Sequence, residues 1–273
     1  MPKKHAGFRI NTRGPAFGQC NICGETRKLT EDHTPPKCCN LGTPMELRNL
    51  WDKISADGQS RQQPRRFPAG VSYRSLCSRC NSELLGVLYD PALAEFSASV
   101  RDIGNGPPRW PNAVPVTIQP QAVMRSTLGH LCAQGVERYL KGPLTESIRD
   151  YMLDTTLPLP AGIRIYFWIY PNRSQVLIRD AVRSENLGSG GPAIAFWLMK
   201  FYPLAFMVTL TEPAGHQYNN LANMDAFRHV PFTQQGTVFL SLNPMVRLDW
   251  PENPQGEAAI LYGQQAMAAE PII

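Results

Sequence analysis

The 273-residue chain is 43% hydrophobic and 18% charged, with a formal net charge of +5. These proportions are those of a globular protein and exclude extensive disorder. The longest apolar run, residues 193–210, is broken by Lys200 and Pro203, which excludes a membrane span there. The segment MPKKHAGFRI has no apolar stretch of the secretory kind, so a cytoplasmic protein is expected.

Residues 1–110 hold 16 Lys+Arg against 10 Asp+Glu, whereas residues 111–273 hold 11 against 12. The basic excess therefore lies in the first part, at Lys3, Lys4, Arg9, Arg13, Lys37, Arg61, Arg65, Arg66, Arg74 and Arg79 among others. Such a distribution suits a surface for a polyanion, and equally an ordinary solvated face.

Two CxxC pairs, Cys20/Cys23 and Cys77/Cys80, supply four thiolates from distant parts of the chain. Two tight knuckles that converge on tetrahedral Zn²⁺ account for this pattern better than disulfides do in a reducing compartment. The interval from Gly24 to Leu76 is longer than a zinc ribbon needs, so further structure must be held between the knuckles. The adjacent pair Cys38 and Cys39 cannot readily aim both sulfurs at one ion. Cys132, on an apolar helical face, reads as simply buried.

Within that interval Leu29–Lys37 carries the dipeptide Asp32-His33, and Ser72–Leu76 leads back into the second knuckle. Both read as short strands. The stretch from Cys80 to Leu88 reads as a helix with Asn81 in its first turn, beside a thiolate. Hydrolysis of a phosphodiester needs an activated water, and neutral imidazole is the side chain best suited to take its proton. A hard cation such as Mg²⁺ or Mn²⁺ prefers a few oxygen ligands, here Asp32 and the Asn81 side-chain carbonyl, leaving room for water and phosphate.

The order CxxC, Asp-His, CxxC-Asn resembles the HNH, or His-Me finger, endonuclease family, in the zinc-stapled branch to which phage endonuclease VII-type resolvases are similar. The resemblance covers roughly residues 18–90. It implies a ββα-metal unit with His33 as general base, Asp32 and Asn81 as ligands of the catalytic cation, and Cys20, Cys23, Cys77 and Cys80 around structural zinc. Where that family often has a buttressing Asn before the second CxxC this chain has Ser72, with Asn49 as a substitute. A Lys usual after the motif is replaced by Glu83 and Leu84, which leaves Lys37, Arg74 and Arg79 to meet transition-state charge. Arg65 and Arg66, in the insertion 34–70 with Arg48, Lys53 and Arg61, are expected on the nucleic-acid backbone unless that insertion is only a surface loop.

Residues 104–115, with four prolines and two glycines, are expected to break both helix and sheet and to divide a nuclease domain, 1–105, from an α+β domain, 116–273. The second part predicts helices over 121–141 and 144–153. A hairpin is expected over 163–170 and 175–180, a second over 193–200 and 204–211, and a fifth strand over 237–242. Together they give an α+β fold with an antiparallel sheet and helices on one face. That domain is expected to recognise, dimerise or regulate. HNH nucleases joined to a sensor domain resemble effectors of anti-phage defence. His5, His130, His216 and His229 have no partner pattern and read as ordinary histidines. The competing expectation is a non-catalytic zinc module for nucleic acid or protein, in which Asp32-His33 is only a turn pair.

Overall fold

The computed structural model describes residues 10–39, 42–54, 64–105, 112–139, 143–184, 186, 192–210, 218, 221–242 and 246–272. Lys3, Lys4, His5, Arg9, Arg61 and His216 lie outside them. In chain order the first part contains β1 (Phe17–Gln19), β2 (Thr26–His33), β3 (Met45–Asn49), α1 (Leu50–Ile54), β4 (Arg65–Phe67) and β5 (Ser72–Cys77). A helical segment wound one residue wider than an α-helix, Arg79–Tyr89, then passes into α2 (Asp90–Gly104), with the Asp90 N–H bonded to the Leu85 carbonyl. There follow β6 (Ala113–Ile118), α3 (Pro120–Ala133), α4 (Pro143–Leu153), β7 (Ile163–Ile169), β8 (Gln175–Ser184), β9 (Ala193–Phe201) and β10 (Leu204–Leu210). The chain closes with β11 (Ala222–Asn223), β12 (Gly236–Ser241), β13 (Ala259–Tyr262) and β14 (Met267–Pro271).

The fold is α+β with antiparallel sheets, as the sequence predicts. A small sheet runs β1-β2-β5, and a large one runs β11-β7-β10-β9-β8-β14-β3-β4 with β13 on β8. Both faces of the large sheet are buried. Ile163, Ile165, Phe167, Trp197, Met199, Phe206 and Val208 face the core shared with α2, α3 and α4. Tyr166, Ile178, Phe196, Leu198 and Met207 pack on the other side with Leu50. This two-sided burial is why the strands read as nearly continuous apolar runs.

Several expectations are corrected. The strands β7 and β8 do not form a hairpin: β7 pairs with β10 and β11, and β8 with β9, β13 and β14, so two strands separate them. The β9–β10 hairpin does form, through Phe201↔Leu204. Strand β12 leaves the large sheet and pairs with β6, whose Pro115 is tolerated at the edge of a two-stranded ribbon. Helix α3 stops at Ala133 rather than Lys141, because Gly135 (φ 88°) and Glu137 (φ 56°) turn left-handed.

The division between 1–105 and 116–273 is crossed by the sheet and by the core. β3 pairs with β14 from Met45↔Pro271 to Asn49↔Met267. One cluster of buried residues runs from Ile10 to Ala269. Helix α3, buried along its whole length, is its axis. No helix among the described residues is long and apolar enough to cross a membrane.

Candidate active site and metal centre

The first knuckle follows β1. Gly24 closes it with φ 76°, and its N–H bonds to the Cys20 carbonyl at 2.9 Å, a left-handed turn that glycine adopts at least cost. The second knuckle joins β5 to the wide helical segment. The sulfurs of Cys20, Cys23, Cys77 and Cys80 all lie within 4.8 Å of one another, and Cys23 Sγ to Cys77 Sγ is 3.8 Å. Tetrahedral zinc with Zn–S bonds near 2.3 Å places its sulfurs about 3.8 Å apart, so the donor set fits. Hydrogen bonds from Cys23 and Cys80 draw the Cys20 thiol down to about 4 against burial, while its bonds to Cys20 and Cys23 push the Cys80 thiol up. Thiolates, not thiols, ligate a metal ion, so binding of a dication at this cluster is accompanied by proton release.

The knuckles are bolted to the centre of the molecule. Asn21, fully buried, donates to the carbonyls of Cys132 and Gly135 at 3.0 and 2.9 Å and accepts from the Arg138 N–H at 3.1 Å, which caps the end of α3. Ser75 Oγ donates to the Ala133 carbonyl at 2.6 Å.

Strand β2 pairs with β5 from Leu29↔Cys77 to His33↔Ser72, with an irregularity at Thr30/Glu31. Across it lies Asn81, one residue beyond Cys80. Its Nδ2 donates to Thr30 Oγ1 and to the Glu31 carbonyl, both at 2.9 Å. A carbonyl only accepts, so the amide nitrogen must face the strand, and Asn81 Oδ1 is left outside these bonds. His33 is half-buried and lines a groove of about 280 Å³ with Thr12, Arg13, Glu31, Arg65, Arg66 and Ser72. Burial lowers its pKa, and Lys37 adds to this, while Asp32 and Glu31 counter part of it. Neutral imidazole is the form this environment favours.

Asp32 points the other way. It is 4% exposed, and its Oδ2 lies 3.0 Å from His130 Nδ1, on α3. The opposite ring nitrogen, Nε2, is 2.9 Å from Asp90 Oδ1, which also accepts from Ser126 Oγ at 2.7 Å. Burial disfavours the His130 cation, yet the two carboxylates and their hydrogen bonds raise its pKa well above the usual value. Asp90 is lowered in turn: burial would raise it, but the His130 charge and the bonds from His130 and Ser126 prevail.

The expectation that His130 is an ordinary histidine is therefore corrected. Its partners are remote in sequence and no local motif announces them. Arg65 and Arg66 do meet His33 in the groove; Arg65 Nη1 also donates to Thr12 Oγ1 at 2.6 Å. Arg74 pairs with Glu31 at 3.1 Å beside the groove. Lys37 and Arg79 are exposed and lie outside the groove's described lining. Arg13, which does line it, is a member that only the basic excess hinted at. Cys132 is buried, as expected. No family model, curated protein or solved structure matches the chain.

Proposed function

We propose that the chain is a metal-dependent endonuclease of the HNH, or His-Me finger, kind, with DNA the favoured substrate and Cys20, Cys23, Cys77 and Cys80 holding structural zinc. The observation that carries this reading is Asn81 reaching, from beside a knuckle cysteine, the backbone immediately before Asp32-His33. A turn pair beside a purely structural zinc would leave that contact without a purpose.

In this reading His33 takes a proton from the attacking water, for which its burial-lowered pKa suits it. Arg13, Arg65 and Arg66 line the same groove and hold phosphate oxygens. Among the described residues Asp32 Oδ1 and Asn81 Oδ1 are free of hydrogen bonds, and they would hold a Mg²⁺ or Mn²⁺ ion that neutralises charge on the phosphorane and the departing oxygen. The zinc knuckles and α3 fix these groups from behind without entering the reaction.

The test is incubation of supercoiled plasmid, single strands and DNA junctions with the protein and Mg²⁺ or Mn²⁺. Cutting is expected with the wild-type chain and is expected to fall by about 10²–10⁴-fold in His33→Ala, the usual contribution of a general base. Cutting by His33→Ala at the wild-type rate would overturn the assignment. A second reading, a zinc module that binds without cutting, is favoured by one observation: the Asp32 carboxylate is buried and engaged by His130. Binding without cleavage under every metal would select it.

A further inference from the structure

The buried line Asp32–His130–Asp90–Ser126 crosses from the strand that carries His33 to the last turn of α3, on to the first residue of α2, and back to α3 at Ser126. Its closest bonds are 2.7 to 3.0 Å, and Thr34 Oγ1 lies 3.5 Å from the same Asp32 oxygen and 3.4 Å from the His130 carbonyl. A carboxylate exposed to water is free to rotate about its last torsion. Asp32 has one oxygen fixed to an imidazole that is itself held at its far nitrogen, so its other oxygen has a defined direction. Such a chain of partners behind a carboxylate is what a metal ligand needs when few protein atoms hold the ion.

We propose that His130 is a positioning residue: through Nδ1 it fixes the Asp32 carboxylate as a ligand of the divalent cation, and so ties the helix at the core of the second half of the chain to the reaction centre. The inference rests on the cation-dependent reading above. Because α3 packs against β8 and β9, this ring is one of the links that couple the large sheet to Asp32.

Two variants separate positioning from mere support. The amide of His130→Asn places a nitrogen close to where Nδ1 stood and keeps the bond to Asp32, whereas that of His130→Gln extends toward Asp90 and loses it. A structural role affects both alike. Mn²⁺ binding to the zinc-loaded, full-length protein, followed by electron paramagnetic resonance without nucleic acid, is the readout.

Affinity is expected to fall by about 10–100-fold in His130→Gln and to stay within about threefold of wild type in His130→Asn. Equal affinities in the two variants would overturn the proposal. Should His130→Gln lose its zinc, His130→Leu, which has no atom able to bond Asp32, takes its place: an Mn²⁺ affinity weaker than that of His130→Asn supports the proposal and an equal one sinks it. Asp32→Asn separates this inference from the nuclease reading. If Asp32→Asn binds Mn²⁺ as tightly as wild type, the inference fails whatever the plasmid assay returns. If the wild-type chain binds Mn²⁺ through Asp32 yet cuts nothing, the nuclease reading fails and the positioning role stands.

Discussion

Asp32 and His33 are consecutive on β2, yet one is buried against α3 and the other looks into a basic groove, because successive residues of a strand face opposite ways. That split sets two pH dependences with different signs. In the proposed reaction His33 acts as a base only when neutral, and its pKa is lowered, chiefly by burial. Cleavage is therefore expected to be level through neutrality and to fall only below the ordinary histidine value of about 6.5. A pH–rate profile of kcat/KM that falls at or above that value would contradict it. For His130 the folded pKa is raised, so its stabilising contribution is complete below the unfolded value and is lost as pH rises through the folded one. Asp90, lowered in the fold, contributes above the carboxylate range and loses that contribution as pH falls through its folded value. Greatest stability is expected between the carboxylate range and the ordinary histidine value of about 6.5, with a decline above it that is smaller in His130→Asn. Thermal unfolding as a function of pH measures it.

At the scale of elements, the attachment of the first knuckle to the end of α3 decides whether the zinc unit and the core behave as one body. Asn21 makes three hydrogen bonds there, and Asn21→Ala leaves the Gly135 carbonyl and the Arg138 N–H without it. About 1–3 kcal/mol of stability should be lost, measured by denaturant unfolding. Gly14 tests the seam on the groove side. A Cβ there would sit 2.2 Å from the Arg74 carbonyl oxygen, backbone that cannot step aside without moving β5. Gly14→Ala should cost about 1–3 kcal/mol, as overpacking does, and should disturb neighbouring Arg13.

For the molecule as a whole, two polar clusters hold parts that apolar packing alone does not fix. The cysteine cluster joins strands and helix across the interval between knuckles; Cys77→Ser is expected to abolish stoichiometric zinc, and hydrogen exchange should then show loss of protection in β2 and β5. On the far face Lys200, fully buried, donates to Glu252 Oε1 at 2.7 Å and to the Trp250 carbonyl at 3.1 Å, which pins residues 250–252 over β9. Lys200→Met strands the Glu252 carboxylate, whose Oε2 has no hydrogen-bond partner among the described residues, at an expected cost of about 3–5 kcal/mol. Adding Glu252→Gln should recover part of the loss in a double-mutant cycle.

The sequence by itself determined the parts whose signal is local. Spacing of Cys20, Cys23, Cys77 and Cys80 marked a metal cluster, apolar runs on either side of Tyr202-Pro203 marked β9 and β10, and the CxxC-Asn order marked Asn81. The groups that complete the candidate site were decided by tertiary structure. His130 meets Asp32 across a sequence separation of 98 residues and Asp90 across one of 40, and a hydrogen bond over such a distance leaves no pattern in the chain. The sheet order follows the same logic: β7 and β8 are adjacent in sequence with a turn-like Pro171-Asn172-Arg173 between them, yet burial of both sheet faces placed β9 and β10 in the gap. Local chemistry fixes which residues are able to react or to bind an ion; burial, which depends on the whole chain closing around α3, fixes which of them face each other.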